Sequence, residues 1–336
     1  MIATVAATSP ITRRVRAFFA PVNRTPSTST STSTSTSTPT IFDAAQNGSF
    51  ALTAPPAPWV DLGWCTKFVR KSGTKVGTLH SGSPAIAQAQ LRTEIDATIS
   101  LQFETWGKLQ LALAAGSQQM NLLATITGTN VNGSGGTSLP ATPLTTDNSS
   151  TATQLSVGPS AAAAFATGSL VAVDIDYTGQ VGFVGSGVSA AYVRSSALVS
   201  GDANYIRRVT LNVARVISVG ITNGILQLAA PLPAGTPTAG MKISQLTGFV
   251  DREGGSFFQE WSGLFIYEGE QGDRVLFHYP RLQAMQGSSE MLETLASPLE
   301  QIHLAAAFRA FPVIDANDGE RVLCFRSYLP SATQTI

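Results

Sequence analysis

The chain has 336 residues, 43% of them hydrophobic and only 12% charged, with 21 basic and 21 acidic side chains in exact balance. That balance leaves no surplus cation to neutralise phosphates, which argues against a protein that wraps nucleic acid. A charged share about half that of an ordinary soluble domain points to a β-rich chain, or to one that hides surface against partners. The length suits one large β domain or two smaller ones.

Residues 1–24 contain no apolar run of signal-peptide length, and Arg13, Arg14 and Arg16 follow the short apolar stretch, so no secretory leader is expected. No apolar run is long enough for a membrane-spanning helix, so no membrane insertion is expected. Residues 1–26 read as an arm, with the Arg- and Phe-containing segment 11–22 as a short helix or a docking arm. Residues 27–38 are a pure Ser-Thr alternation between Pro26 and Pro39, and 27–40 is expected to be a flexible linker.

A main β domain is expected to begin at residue 41, with strands at 62–70 and 75–79. Between residues 91 and 104 the chain alternates without a break. Arg92, Glu94, Asp96, Thr98, Ser100, Gln102 and Glu104 share one side, while Leu91, Ile95, Ile99 and Phe103 share the other. Period two is the strand signature. At about 3.3 Å per residue the span would reach about 40 Å, so it reads as one unusually long strand, or two joined by a bend, with one side wet and one side in a core.

The period then changes. Trp106, Leu109 and Leu113 recur at helical spacing, with Thr105 as N-cap and Gly116 as terminator, which predicts a helix over 106–115 packed on the face carrying Ile95, Ile99 and Phe103. A strand at 120–126 closes the first part of the main domain at 127, and 128–156 reads as a Gly/Ser/Thr loop. Residues 157–243 read as an inserted small barrel or sandwich, with strands at 170–175, 180–184, 191–193, 209–219 and 225–228. The main domain resumes over 244–336 with strands at 244–250, 257–267, 274–279 and 321–328. Segment 297–311 is readable as strand or helix, and 317–319 as a turn. The fold class expected is mainly β, a sandwich or barrel with a flanking helix and an inserted β domain.

Chemistry is hard to find. His80, His278 and His303 share no metal-ligand spacing, and His278, between Phe277 and Tyr279, reads as a packing histidine. Cys65 and Cys324 read as free thiols. Asp174 and Asp176 lack the further oxygens a calcium site needs. The glycine-rich stretches 128–136 and 182–187 lack a phosphate-loop ending, and no nucleophile elbow occurs. Glu94 and Asp96 sit in a uniformly polar row without the apolar pocket that would raise one pKa. No catalytic residue, metal ligand or cofactor site is expected.

The alternating strand leading into Trp106-Gly-Lys-Leu-Gln-Leu-Ala-Leu113 resembles the phage tail tube (major tail) proteins. So do 251–262, with Asp251-Arg-Glu-Gly-Gly and Phe257-Phe-Gln-Glu-Trp-Ser262, and Gly272-Asp-Arg-Val-Leu-Phe-His-Tyr-Pro280. The resemblance covers about residues 50–126 and 244–330. It implies a twisted β-sandwich, six copies closing into a ring through joined inner strands, and stacked rings that enclose a tape-measure protein and conduct DNA in the virion. Tail terminator and baseplate proteins would be further partners.

On that view Arg92, Glu94, Asp96, Thr98, Ser100, Gln102 and Glu104 would line a net-acidic lumen that repels DNA, while Ile95, Ile99, Phe103, Trp106, Leu109, Leu113 and Trp261 would serve core or interface. The alternatives are another tail component (terminator, baseplate or decoration protein), or a carbohydrate-binding β protein using Trp59, Trp64 and Trp261 as a host-recognition platform.

Overall fold

A computed structural model describes residues 14–25, 36–56, 59–105, 107–116, 118–123, 142–145, 149–175, 212–232, 235–239, 241–252, 260–269, 272–285 and 304–331. The protein is mainly β. In chain order the strands are β1 (Val15–Pro21), β2 (Asn23–Thr25), β3 (Thr36–Thr38), β4 (Val60–Ser81), β5 (Ile86–Phe103), β6 (Gln118–Leu123), β7 (Thr142–Pro143), β8 (Gln154–Ser156), β9 (Leu170–Ile175), β10 (Val213–Gly220), β11 (Ile225–Leu228), β12 (Met241–Arg252), β13 (Glu260–Glu268), β14 (Arg274–Ala284), β15 (Leu304–Ala310), β16 (Val313–Ile314), β17 (Arg321–Val322) and β18 (Phe325–Leu329). Among the described residues the helices are short: α1 (Ala44–Asn47), α2 (Lys108–Ala115) and α3 (Pro159–Ala162).

Two compact units emerge. The first comprises residues 1–22, 38–116 and 258–336, and the second 23–37 and 117–257. In the first, antiparallel pairings run β13-β1-β4-β5-β15-β14, and β14 pairs back onto β13. The six strands therefore close into a barrel, with β18 attached along β14. Closure removes the bare edges that an open sheet would present.

The segment expected to be a helix or a free arm, 11–22, instead supplies β1, a stave of this barrel. Phe18 and Phe19 lie on opposite faces of it, and both are fully buried. Phe19 enters the interior, edge-on to Phe265 at 5.7 Å and against Phe308 at 5.4 Å. Phe18 faces outward into a second cluster with Phe42, Trp59, Leu264 and Leu276, capped by a strap that the structure describes over residues 39–56 and at Trp59. Helix was the wrong expectation because a strand buried on both faces shows no alternation.

The strap is pinned by backbone contacts. Arg274 donates to the carbonyls of Gly48 and Phe50, and the Ser262 hydroxyl accepts from Thr40 N–H at 3.0 Å. Where β13 begins, the Glu260 carboxylate, 4% exposed as a residue, is held by Arg281 in a two-pronged pair and by Gln283. Such pairing offsets the desolvation of a buried carboxylate.

The helix is shorter than the expected 106–115. It starts at Lys108 with Gly107 as N-cap, and the expected cap, Thr105, donates its hydroxyl to the Leu62 carbonyl instead. Trp106 lies outside the described residues. Gly116 ends the helix as expected, in the left-handed conformation (φ 63°) that glycine adopts without strain. Leu109 and Leu113 are buried, and α2 lies against β15 and β14.

The second unit's sheet runs β6-β12-β9-β10-β11-β8, with β7 also on β12, over a core that includes Leu155, Val171, Val216, Leu226 and Ile243. It is wider than the expected insertion of 157–243. Strands β6 and β12, both assigned to the main domain from sequence, pair with each other and β12 with β9, so hydrogen bonding draws them into this sheet. The strands expected at 180–184 and 191–193 lie outside the described residues, as do the two glycine-rich stretches.

Candidate assembly interface

Strands β4 and β5 are longer than the barrel that contains them. β1 borders β4 only over Val60–Cys65, and β15 borders β5 only from Thr98 to Phe103. Beyond those limits β4 and β5 pair with each other out to Ser81 and Ile86 as a two-stranded ribbon. Its Lys71–Ser81 arm spans about 35 Å. Both outer edges of the ribbon lack a strand partner among the described residues.

The exit from the barrel is anchored. Lys67 takes a positive φ of 48° at a bulge, which turns Phe68 inward onto Phe265 at 4.9 Å and Tyr267 at 5.6 Å. The Arg70 guanidinium lies 4.3 Å over the Phe277 ring and donates to the Tyr279 hydroxyl. Burial raises the pKa of that hydroxyl, so it remains a neutral phenol.

Within the barrel, β5 alternates as expected. Ala97, Ile99, Leu101 and Phe103 are buried, with Thr98, Ser100 and Gln102 more open on the outer side. From Asp96 outward every β5 residue is exposed on both faces, so the expectation of one wet and one buried side fails there. Ile95, expected in core with Ile99, is 47% exposed, because the ribbon has no second layer to cover it.

The polar row is also broken. Lys75 pairs with Glu94 but Val76 pairs with Arg92, which leaves Thr93 as a bulge. A one-residue insertion moves every following side chain to the other face. Arg92 therefore joins the Ile95 face, and Leu91 joins the Glu94 face.

That exchange gathers apolar side chains. Leu79, Ile86 and Leu91, at 57%, 61% and 61% exposed, share the outer part of one ribbon face with Ala89. Val76 and Ile95 occupy the other. Fully covering three such side chains contributes about 1.5–3 kcal/mol each before the cost of association. A bare two-stranded ribbon is at best marginal in water.

The acids expected to make the row net negative are all matched. Glu94 pairs with Lys75, Asp96 lies 3.4 Å from Arg309, and Glu104 lies 3.8 Å from Arg14. The two exposed pairs, Lys75–Glu94 and Arg309–Asp96, add little stability, but all three offset the local charge. The row is charge-compensated rather than acidic.

Elsewhere the chemistry is quiet. Among the described residues no group of three or more His, Cys, Asp or Glu is arranged to hold a metal. The Cys65 thiol is fully buried and its pKa is pushed up by burial, chiefly, and by Glu104 and Asp61, which opposes thiolate formation. His278 is a packing residue. Its ring stacks on Phe325, meets Trp59 edge-on and donates through Nε2 to the Thr40 carbonyl at 3.3 Å. Burial drops its pKa to about 4 despite the opposing Thr40 bond, and Nδ1 is buried without a hydrogen-bond partner among the described residues.

Trp59 and Trp261 are buried, and Trp64 is half-covered with the Arg16 guanidinium 5.2 Å over its ring. No helix among the described residues is long and apolar enough to cross a membrane. No protein-family model matches the sequence, and no curated protein matches it significantly.

Proposed function

We propose that this chain is a non-enzymatic structural subunit of a phage tail tube, whose copies join through the β4–β5 ribbon into rings that stack as a conduit for DNA. The observation that carries this reading is the ribbon itself: long strands with bare edges and an apolar outer face, projecting from a barrel that is otherwise closed. Barrel closure directs association to the ribbon, where strands of a second copy complete the edges. The tape-measure, terminator and baseplate proteins named above would meet the assembled tube rather than the free chain. A charge-compensated wall would offer a passing polyanion no uncompensated cation to grip. The buried settings of Trp59 and Trp261 speak against the carbohydrate platform, because stacking on a sugar needs an exposed ring.

Electron microscopy of negatively stained, concentrated protein tests the proposal. Rings or hollow tubes are expected. A monodisperse monomer at every concentration would remove self-assembly and the tube reading together.

A further inference from the structure

Strand β1 sits between β13 and β4 and bonds to both. It is linked to the strap by residues 23–39, in which β2 and β3 pair with each other. Both ends of this connection meet the start of β13. Val22 N–H donates to the Glu260 carbonyl at 3.4 Å, and Thr40 N–H to the Ser262 hydroxyl at 3.0 Å. Glu260 and Ser262 are two positions apart on one strand, a gap that a few residues bridge. The chain instead commits a 17-residue connection, 23–39, whose fully extended reach is about 55 Å. Residues 23–39 carry no hydrophobic side chain to repay that length with a core of their own.

We infer that β1 is exchanged between copies: in the assembly, the β13–β4 groove of one barrel is filled by β1 of a second copy, and the Ser-Thr tract spans the distance between them. The proposal needs copies to associate, and so rests on the assembly reading, but not on a tube. Every hydrogen bond and ring contact of β1 is reproduced when the strand arrives from a neighbour, so exchange forfeits no interaction within the barrel, and what it gives up is the short β2–β3 ladder, which opens as the connection extends. The reach of the connection lets β1 arrive at a groove outside its own barrel. Each barrel then closes only with a neighbour's strand, and the copies are interlocked by an element that also completes their cores.

The register supplies a probe. Val15 lies opposite Cys65 across β1–β4, and both are buried, so Val15→Cys places two thiols in cross-strand disulfide position. With Cys324→Ser removing the other thiol, the full chain is allowed to assemble in the presence of diamide, then denatured without reductant and separated by size. Exchange predicts a ladder of chain multiples that collapses to one band on reduction. A single intrachain band from assembled protein overturns exchange and leaves the assembly reading standing. The same band from protein that never assembles overturns both.

Because a substitution at a buried site can itself prevent folding, a second variant deletes residues 26–37 and leaves 23–25 and 38–39 to bridge the short gap. Its monomer is expected to keep the parent's unfolding temperature while sedimenting assemblies fall at least tenfold. Undiminished assembly by the shortened chain would overturn the proposal.

Discussion

The barrel half and the ribbon half of β4 and β5 are the same two strands in two environments. Inside the barrel, Ala97, Ile99, Leu101 and Phe103 are buried, and alternation is obeyed. Outside it, Val76, Leu79, Ile86, Leu91 and Ile95 are just as apolar but stand in water. Strand pairing alone therefore carries hydrophobic side chains well past the point where the chain can cover them. What the first half buries in its own core, the second half leaves exposed.

The contrast can be broken most forcefully at Ile99, which is 1% exposed. Ile99→Asp puts an unpaired carboxylate among interior rings, and a loss of at least about 4 kcal/mol of stability is expected. Chemical denaturation should find no cooperative native state, and wild-type-like unfolding would refute the inward facing of this residue.

A middle-sized effect concerns His278 under the strap. Its folded pKa is depressed to about 4 against an ordinary 6.5, so the unfolded chain binds the proton first. The stabilising contribution is complete above pH 6.5 and is lost as pH falls from there toward 4, a change on the order of 3 kcal/mol. His278→Phe should flatten that part of the stability profile. An identical pH dependence in both chains would exonerate the histidine.

The smallest effect on stability belongs to the ribbon. Leu79→Asp with Leu91→Asp should shift unfolding by about 0.5 kcal/mol or less, because neither residue has a core to lose. Assembly, followed by sedimentation, should nevertheless vanish. Tubes formed by this double variant would show that the ribbon's apolar face is not the contact.

Much of the fold was legible where burial is one-sided or the segment is short and bounded. β9 and β11 occupy the residues that the pattern marks, and Gly116 ends α2 because few other residues accept its φ. Burial on both faces hid β1, since adjacent Phe18 and Phe19 satisfy different layers and leave no period. The bulge at Thr93 was invisible because it is set by the partner strand's register rather than by local preference. The membership of β6 and β12 was misassigned for a related reason: a strand's unit is decided by what it pairs with, which a linear pattern does not record. In the candidate interface Arg92, Glu94, Asp96 and Ser100 are exposed, while Thr98, Gln102 and Glu104 are half-buried. Their charge partners Lys75, Arg309 and Arg14 come from other strands, so the supposed acidity of the row disappeared only in three dimensions.

The pairing of β1 with β13 joins Val15 to Tyr267, so a stave made early must wait for one made late. At ordinary elongation rates of 5–20 residues per second, that wait is roughly 10–50 s on the ribosome. Throughout it, Phe19 lacks its ring partners Trp261, Phe265 and Phe308. Were β1 exchanged between copies, the nearest vacant groove on a crowded message would belong to the nascent chain ahead, and translation would set the moment of threading.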